Sequence, residues 1–268
     1  MVQEKAKVLL HRKIARDHYR MRLKAPSAAR GARPGQFIHI RCREEGQSPA
    51  GTVPLLRRPI SLVDVDPVRG SLDIVYKVMG LGTRVMAQIR EGSKADFIGP
   101  LGEPFAFPPE GERAVLIGGG VGIPPLVFLA KELLARKIPA AAFLGARTKE
   151  WVICREDFRK LGVPVHAATD DGTLGFHGSV VDLAAELAGT DAIFYICGPT
   201  GMMKAAAALA HRRGLPAQVS LEERMGCAMG CCMGCVVEVN TEPAGSHARF
   251  QRVCTEGPVF ASEEIIWR

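Results

Sequence analysis

The residues best suited to chemistry in this sequence are its cysteines. Eight occur among 268 residues, and five fall near the C-terminus: Cys227-Ala-Met-Gly-Cys231-Cys232-Met-Gly-Cys235, then Cys254. Taking Cys227, Cys232, Cys235 and Cys254 gives C-x4-C-x2-C…C, the plant-type [2Fe–2S] spacing, which supplies the four thiolates two bridged irons need. Gly226, Gly230 and Gly234 interleave with them, and glycine turns let backbone N–H groups come close to the sulfurs. A structural zinc usually draws on two Cys-x2–4-Cys knuckles, whereas Cys254 stands alone. Disulfides belong to oxidising compartments, and the N-terminal Met-Val-Gln-Glu-Lys-Ala-Lys does not read as a signal peptide. Cys231 competes with Cys232 as a ligand; the spacing favours Cys232 and leaves Cys231 a spare thiol.

Three other segments have the form of nucleotide sites, each with a plainer reading beside it. Ala114-Val-Leu-Ile-Gly118-Gly119-Gly120-Val121-Gly122-Ile-Pro-Pro is an apolar strand, a glycine turn and a helix start. Such a turn brings N–H groups to a pyrophosphate, although Ile123 occupies the place of the third glycine in G-x-G-x-x-G, and a tight turn without ligand fits as well. Cys197-Gly-Pro-Thr follows another apolar strand, at the carboxyl end where open α/β sheets bind ligands; by itself Cys197 also reads as a small buried residue. Arg57-Arg58-Pro59-Ile60-Ser61, Val75-Tyr76-Lys77 and Gly82-Thr83 offer guanidinium, ammonium and hydroxyl groups for phosphate. Taken singly, they read equally as solvated arginines and a core tyrosine. Thr169-Asp170-Asp171-Gly172 is read as a turn, with neither aspartate catalytic.

The elements that must position these groups change rhythm midway. Short runs at Lys7–Ile14, Tyr19–Lys24, Gln36–Cys42, Ile60–Val65, Leu72–Tyr76 and Lys94–Ile98, with a helix near Leu81–Ile89, predict a small antiparallel barrel. A Pro-rich linker follows at Pro104–Gly111. Strands at Arg113–Ile117, Ala140–Leu144, Val163–Ala167, Ala192–Cys197 and Ala217–Leu221 then alternate with helices at Pro124–Arg136, Glu150–Leu161, Ser179–Leu187 and Gly201–Arg213. That alternation predicts a parallel sheet with helices on both faces. The expected fold is therefore multi-domain: barrel at 1–103, α/β nucleotide domain at 104–219, small cluster-binding domain at 220–268.

Composition narrows the function. Apolar residues make up 47% of the chain, enough for a sizeable core, yet no apolar run is long enough for a membrane span. The formal charge of +7 suits anionic ligands. Nucleic acid is disfavoured, because the basic residues are dispersed and aromatics amount to 6%. A cytoplasmic protein, where thiols stay reduced, is expected.

In combination, a barrel with Arg58-Pro-Ile-Ser61 and an α/β domain with Gly118–Gly122 and Cys197-Gly-Pro resemble the ferredoxin–NADP reductase family along essentially the whole chain. Leu-Arg57-Arg58-Pro-Ile-Ser, Gly99-Pro-Leu-Gly102, Ser220-Leu-Glu-Glu-Arg-Met-Gly-Cys and Cys254-Thr-Glu-Gly-Pro-Val-Phe look most like its branch of electron-transfer subunits of class B dihydroorotate dehydrogenases. The resemblance implies FAD contacts at Arg58, Pro59, Ile60, Ser61, Val75, Tyr76, Lys77, Gly82 and Thr83. It implies NAD near Gly118, Gly119, Gly120, Val121, Gly122 and Cys197, and cluster ligands Cys227, Cys232, Cys235 and Cys254. It also implies an FMN-containing catalytic partner in a two-plus-two heterotetramer, with electrons from dihydroorotate passing through [2Fe–2S] and FAD to NAD⁺ in pyrimidine biosynthesis. No residue of this chain need act as acid or base, since the cofactors carry the chemistry. The related subunits of NADH-dependent ferredoxin:NADP oxidoreductase and sulfide dehydrogenase typically have aspartate where Cys227 stands. Cys231 and Lys77 depart from the family pattern, which usually has a small non-cysteine residue at the first and often arginine at the second.

Overall fold

In a computed structural model of the chain, residues 1–44, 54–109, 111–189, 191–240 and 249–267 are described. Six strands form the N-terminal barrel: β1 (Val2–Ala15), β2 (His18–Lys24), β3 (Phe37–Glu44), β4 (Arg58–Asp66), β5 (Ser71–Lys77) and β6 (Lys94–Leu101). They close in the order β1-β2-β5-β4-β3-β6, with every pairing antiparallel. Side chains alternate between faces along a strand, so Met21 and Leu23, Ile38 and Ile40, Leu72 and Ile74, and Phe97 all point into one core. Each such side chain contributes on the order of 1.5–3 kcal/mol. Two short helices, α1 (Pro26–Ala29) and α2 (Leu81–Met86), lie in the connections.

The second half is a seven-stranded sheet. It contains β7 (Arg113–Gly119), β8 (Ala140–Ala146), β9 (Val165–Thr169), β10 (Phe176–His177), β11 (Ala192–Cys197) and β12 (Ala217–Ser220), all parallel. The helices are α3 (Ile123–Ala135), α4 (Arg155–Lys160), α5 (Val180–Leu187) and α6 (Thr200–Arg212). Alternate residues of β7 serve opposite faces. Ala114 and Leu116 pack with α3 and α4; Val115 and Ile117 pack with α5 and α6. Prolines fill the first turn of α3, where a missing N–H costs nothing. The Ser179 hydroxyl caps α5 by accepting the Asp182 N–H at 3.1 Å.

The helix expected over Glu150–Leu161 is not continuous. A 3₁₀ turn spans Lys149–Trp151, Cys154 takes a left-handed φ of 58°, and α4 begins only at Arg155. Val152, Ile153 and Cys154 are instead drawn into the core against Phe158, so packing overrides the local helical pattern. Four short strands were not foreseen: the two-residue β10, β13 (Val236–Glu238) paired with β14 (Phe250–Arg252), and β15 (Val259–Ala261). β15 adds an antiparallel edge to β12, with Ser220 opposite Val259. Strands this short carry no readable period.

The halves are tied by Arg20 to Asp157 at 2.7 Å and by Lys131 to Asp64 at 2.6 Å. Phe105 N–H also donates to the Pro34 carbonyl at 2.9 Å. Among the described residues no helix is long and apolar enough to cross a membrane.

Candidate functional site

A cleft of about 340 Å³ opens where the barrel, the parallel sheet and the C-terminal segment meet. Arg58, Pro59, Ile60, Ser61, Val75, Tyr76, Lys77, Gly82 and Thr83 all border it. Ladder register assembles them: β4 brings in Arg58–Ser61, while β5 ends at Lys77 just before α2. The two arginines of the motif differ in employment. Arg57 is committed to Asp96, donating to its Oδ1 and its carbonyl at 2.8 Å each. Among the described residues Arg58 donates to the nearby carbonyls of Leu56 and Arg57, and its guanidinium lies over Gly82, where a Cβ would come within 2.9 Å of Nε. Tyr76 turns its ring into the barrel core and shares a 2.8 Å hydrogen bond with His11 Nε2. The Thr83 hydroxyl accepts N–H groups of Met79 and Gly80, fixing the start of α2.

The same cleft is bordered by Val121 of the glycine turn. β7 and β11 are adjacent and parallel with Gly118 level with Cys197, so the two expected nucleotide turns meet at their carboxyl ends. Gly122 is wedged against the second: a Cβ there would stand 2.4 Å from the Cys197 carbonyl and the Gly198 nitrogen. Gly120, with φ of 54°, faces open space, and a Cβ on Gly119 would strike Met202 Sδ at 2.5 Å. Cys197 is buried, and that burial pushes its thiol up. It is a neutral, inward-facing group.

Leu221, Glu222, Glu223 and Met225 complete the cleft as the chain leaves β12. Their roles went unassigned in the sequence, although they follow the carboxyl end of a strand in an open α/β sheet. The Glu222 side chain is open to the cleft but walled by protein, and loss of water raises its carboxyl above the usual range. Asp171 is not part of this site: its Oδ1 accepts the Thr173 N–H and hydroxyl within the turn.

Beyond Met225 the chain folds over the cysteines. Ala228, Gly230 and Met233 have φ of 58°, 83° and 55°, so two of the three left-handed positions fall on residues other than the glycines expected to hold them. Gly226 and Gly234 have another role, since each sits beside Cys232, with Cβ positions 3.4 and 3.5 Å from its Sγ. The turns aim main-chain donors at sulfur: Met229 N–H and Cys232 N–H each reach Cys227 Sγ at 3.4 Å. Led by the Met229 N–H, they hold the Cys227 thiol down at about 6. Burial, then the neighbouring Cys235 thiol, pushes Cys254 up to about 11. Among the described residues no three Cys, His, Asp or Glu side chains form a group for a single ion. Cys232 neighbours Cys227, and Cys235 neighbours Cys254, which also feels Cys227; a [2Fe–2S] centre draws on four thiolates. Cys231 is exposed and directs its Sγ to the Met229 carbonyl at 3.8 Å. Arg252 braces the loop, donating to the Gly230 carbonyl at 3.0 Å and pairing with Glu256, whose carboxyl it holds at about 2.

Comparison with known proteins matches family models to the parallel sheet and to the C-terminal segment. Residues 222–266 match the family model of the iron–sulfur cluster binding domain of dihydroorotate dehydrogenase B, and residues 116–208 match that of the oxidoreductase NAD-binding domain. The dihydroorotate dehydrogenase B (NAD⁺) electron transfer subunit of Desulforamulus reducens is 40% identical over 98% of this chain and 97% of its own length. That of Geobacillus thermodenitrificans is 39% identical, covering 98% of each chain. Among solved structures, one of the NADH-dependent reduced ferredoxin–NADP oxidoreductase superposes with a TM-score of 0.83 and 32% identity, over 98% of this chain and 90% of that one. A cytochrome b5 reductase domain of Ulva prolifera nitrate reductase, at 18% identity and a TM-score of 0.66, shares the fold. With relatives of that identity along nearly its whole length, the chain belongs to the family of electron transfer subunits of NAD⁺-linked dihydroorotate dehydrogenase B.

Proposed function

We propose that this chain is the electron-transfer subunit of an NAD-dependent dihydroorotate dehydrogenase and works with a separate catalytic subunit in the cytoplasm. The partner uses FMN to oxidise dihydroorotate to orotate, in a heterotetramer of two plus two. Electrons leave it through [2Fe–2S] and FAD of this chain and are delivered to NAD⁺. FAD supplies two-electron exchange with nicotinamide and one-electron exchange with an iron–sulfur centre.

The chain's own part is to hold these groups in order. In this reading residues 1–103 carry the flavin, with Arg58 and Lys77 on its phosphates and Pro59, Ile60, Ser61, Val75, Tyr76, Gly82 and Thr83 lining its site. Residues 104–219 carry the nicotinamide nucleotide at Gly118–Gly122 and Cys197. Residues 220–268 carry the cluster on Cys227, Cys232, Cys235 and Cys254. The exposed rim of the loop, Met229, Cys231 and Met233, would face the partner.

One observation supports the reading above all others. The cleft bordered by Arg58 and Lys77 is also bordered by Val121 of the glycine turn and by Met225, two residues before Cys227. The segments leading to three sites expected from separate parts of the sequence thus border one cavity. Co-expression with a candidate catalytic subunit tests the proposal: purified complex should form orotate from dihydroorotate with NAD⁺ as acceptor. Activity with fumarate but not NAD⁺ would refute it.

A further inference from the structure

Trp151 stands one side chain away from the cleft, on the 3₁₀ turn of the parallel-sheet half. Its ring face is covered by Lys77, whose Nζ lies 3.7 Å from the ring centroid. Lys77 itself borders the cleft at the end of β5. His18, opposite Lys77 in the ladder, meets the indole edge-on, with centroids 6.0 Å apart and planes at 77°. That imidazole is buried, fixed through Nδ1 to the Arg16 carbonyl at 2.7 Å, and its Nε2 has no hydrogen-bond partner among the described residues. The indole is thus propped at one edge while the Lys77 ammonium covers its face.

The surroundings are rich in cations. No carboxylate forms an ion pair with Lys77 among the described residues, and besides burial and Asp17 it feels the charge of Arg147, which follows β8. Two cations beside a flat ring face match an adenylate, phosphate to the cations and base to the ring. A charge-assisted bond to phosphate is stronger than a cation–π contact, so Lys77 exchanges one for the other when phosphate arrives.

We infer that Trp151 is the stacking platform for the adenine of the flavin dinucleotide, uncovered when Lys77 leaves the indole for the diphosphate. The inference rests on the flavin reading above and adds to it a residue from the opposite half of the molecule.

The test titrates the full chain, freed of flavin, with FAD and with FMN, which lacks the adenylate. Trp151→Leu should weaken FAD about tenfold, equivalent to about 1.4 kcal/mol, and leave FMN unchanged. Trp151→Phe should keep most of the preference for FAD. Equal loss of FAD and FMN would make the ring merely structural and overturn the inference, as would unchanged FAD affinity. A tenfold weaker NADH with FAD unaffected would assign the ring to the other dinucleotide and also overturn it. The chain has two tryptophans, so Trp267→Phe leaves Trp151 as the only emitter. ADP should then quench its fluorescence, and no quenching at saturation would overturn the inference without recourse to the leucine variant. A wild-type chain that takes up neither flavin would fail the flavin reading itself, a result distinct from all of these.

Discussion

The cleft and the cysteine loop are built by opposite means. Cleft residues sit on long strands whose register fixes them: Phe37 opposite Ser61, His39 opposite Pro59, His18 opposite Lys77. The loop has no ladder between Leu221 and Cys235 and holds its shape by left-handed turns and N–H groups aimed at sulfur. A scaffold of strands is formed before any ligand arrives. A loop of thiols gains much of its order from the metal it binds. The two regions should therefore fail separately when perturbed.

The largest expected effect tests that separation directly. Cys235→Ser should abolish the cluster's visible absorption and partner-linked NAD⁺ reduction while flavin content stays stoichiometric; joint loss of flavin would show one cooperative unit. If Arg58 holds a flavin phosphate as proposed, Arg58→Ala removes a charge-assisted contact, and with about 1.5–3 kcal/mol at stake FAD should dissociate roughly 10 to 100 times more readily. The cluster spectrum should not change, and equilibrium dialysis with absorbance at both chromophores reads both. Gly122→Ala places a Cβ 2.4 Å from the Cys197 carbonyl. Overpacking against backbone should cost up to about 3 kcal/mol in urea unfolding and weaken NADH, with both other cofactors retained.

A smaller effect concerns the barrel alone. Burial, reinforced by the Arg57 and Arg58 charges, lowers His39 from 6.5 to about 4. The unfolded chain thus binds more protons than the folded one between those values. The stability contribution is whole above pH 6.5 and declines as pH falls toward 4, by about 2 kcal/mol at pH 5. His39→Leu should flatten that slope in urea melts, and an unchanged slope would assign acid sensitivity to the loop. The smallest effect is expected at Cys231→Ala, which should leave absorption and flavin content unchanged. Loss of the cluster would mean that Cys231, and not Cys232, is the ligand.

Much of this site was legible because its signals are local. The C-x4-C-x2-C spacing marks the segment whose turns aim N–H groups at Cys227 Sγ, and Cys231 directs its own Sγ to the Met229 carbonyl. Arg58-Pro-Ile-Ser and Val-Tyr-Lys lie within single strands, so their grouping follows once the barrel closes. What was not legible depends on tertiary contacts. The break at Cys154 reflects the pull of the Phe158 core on Val152 and Ile153, which a helical pattern does not encode. Glu222 and Met225 reach the cleft only because β12 delivers the chain there. The left-handed backbone at Ala228 and Met233 defies residue preference; with glycines alongside, a sequence reader assigns those angles to the wrong residues.

The antiparallel pairing of β12 with β15 has a consequence for how this loop can be exchanged. Ser220 and Val259 are opposite one another, and Leu221 N–H donates to the Pro258 carbonyl at 2.9 Å. The cluster segment therefore leaves and re-enters the sheet at neighbouring points, as an insertion into a hairpin would. Seen this way it is a cassette: its two ends meet one strand spacing apart whatever lies between them. A short turn joining Ser220 to Val259 should leave a folded flavoprotein that lacks the outlet to a partner. The same junction should accept a loop carrying a different redox group.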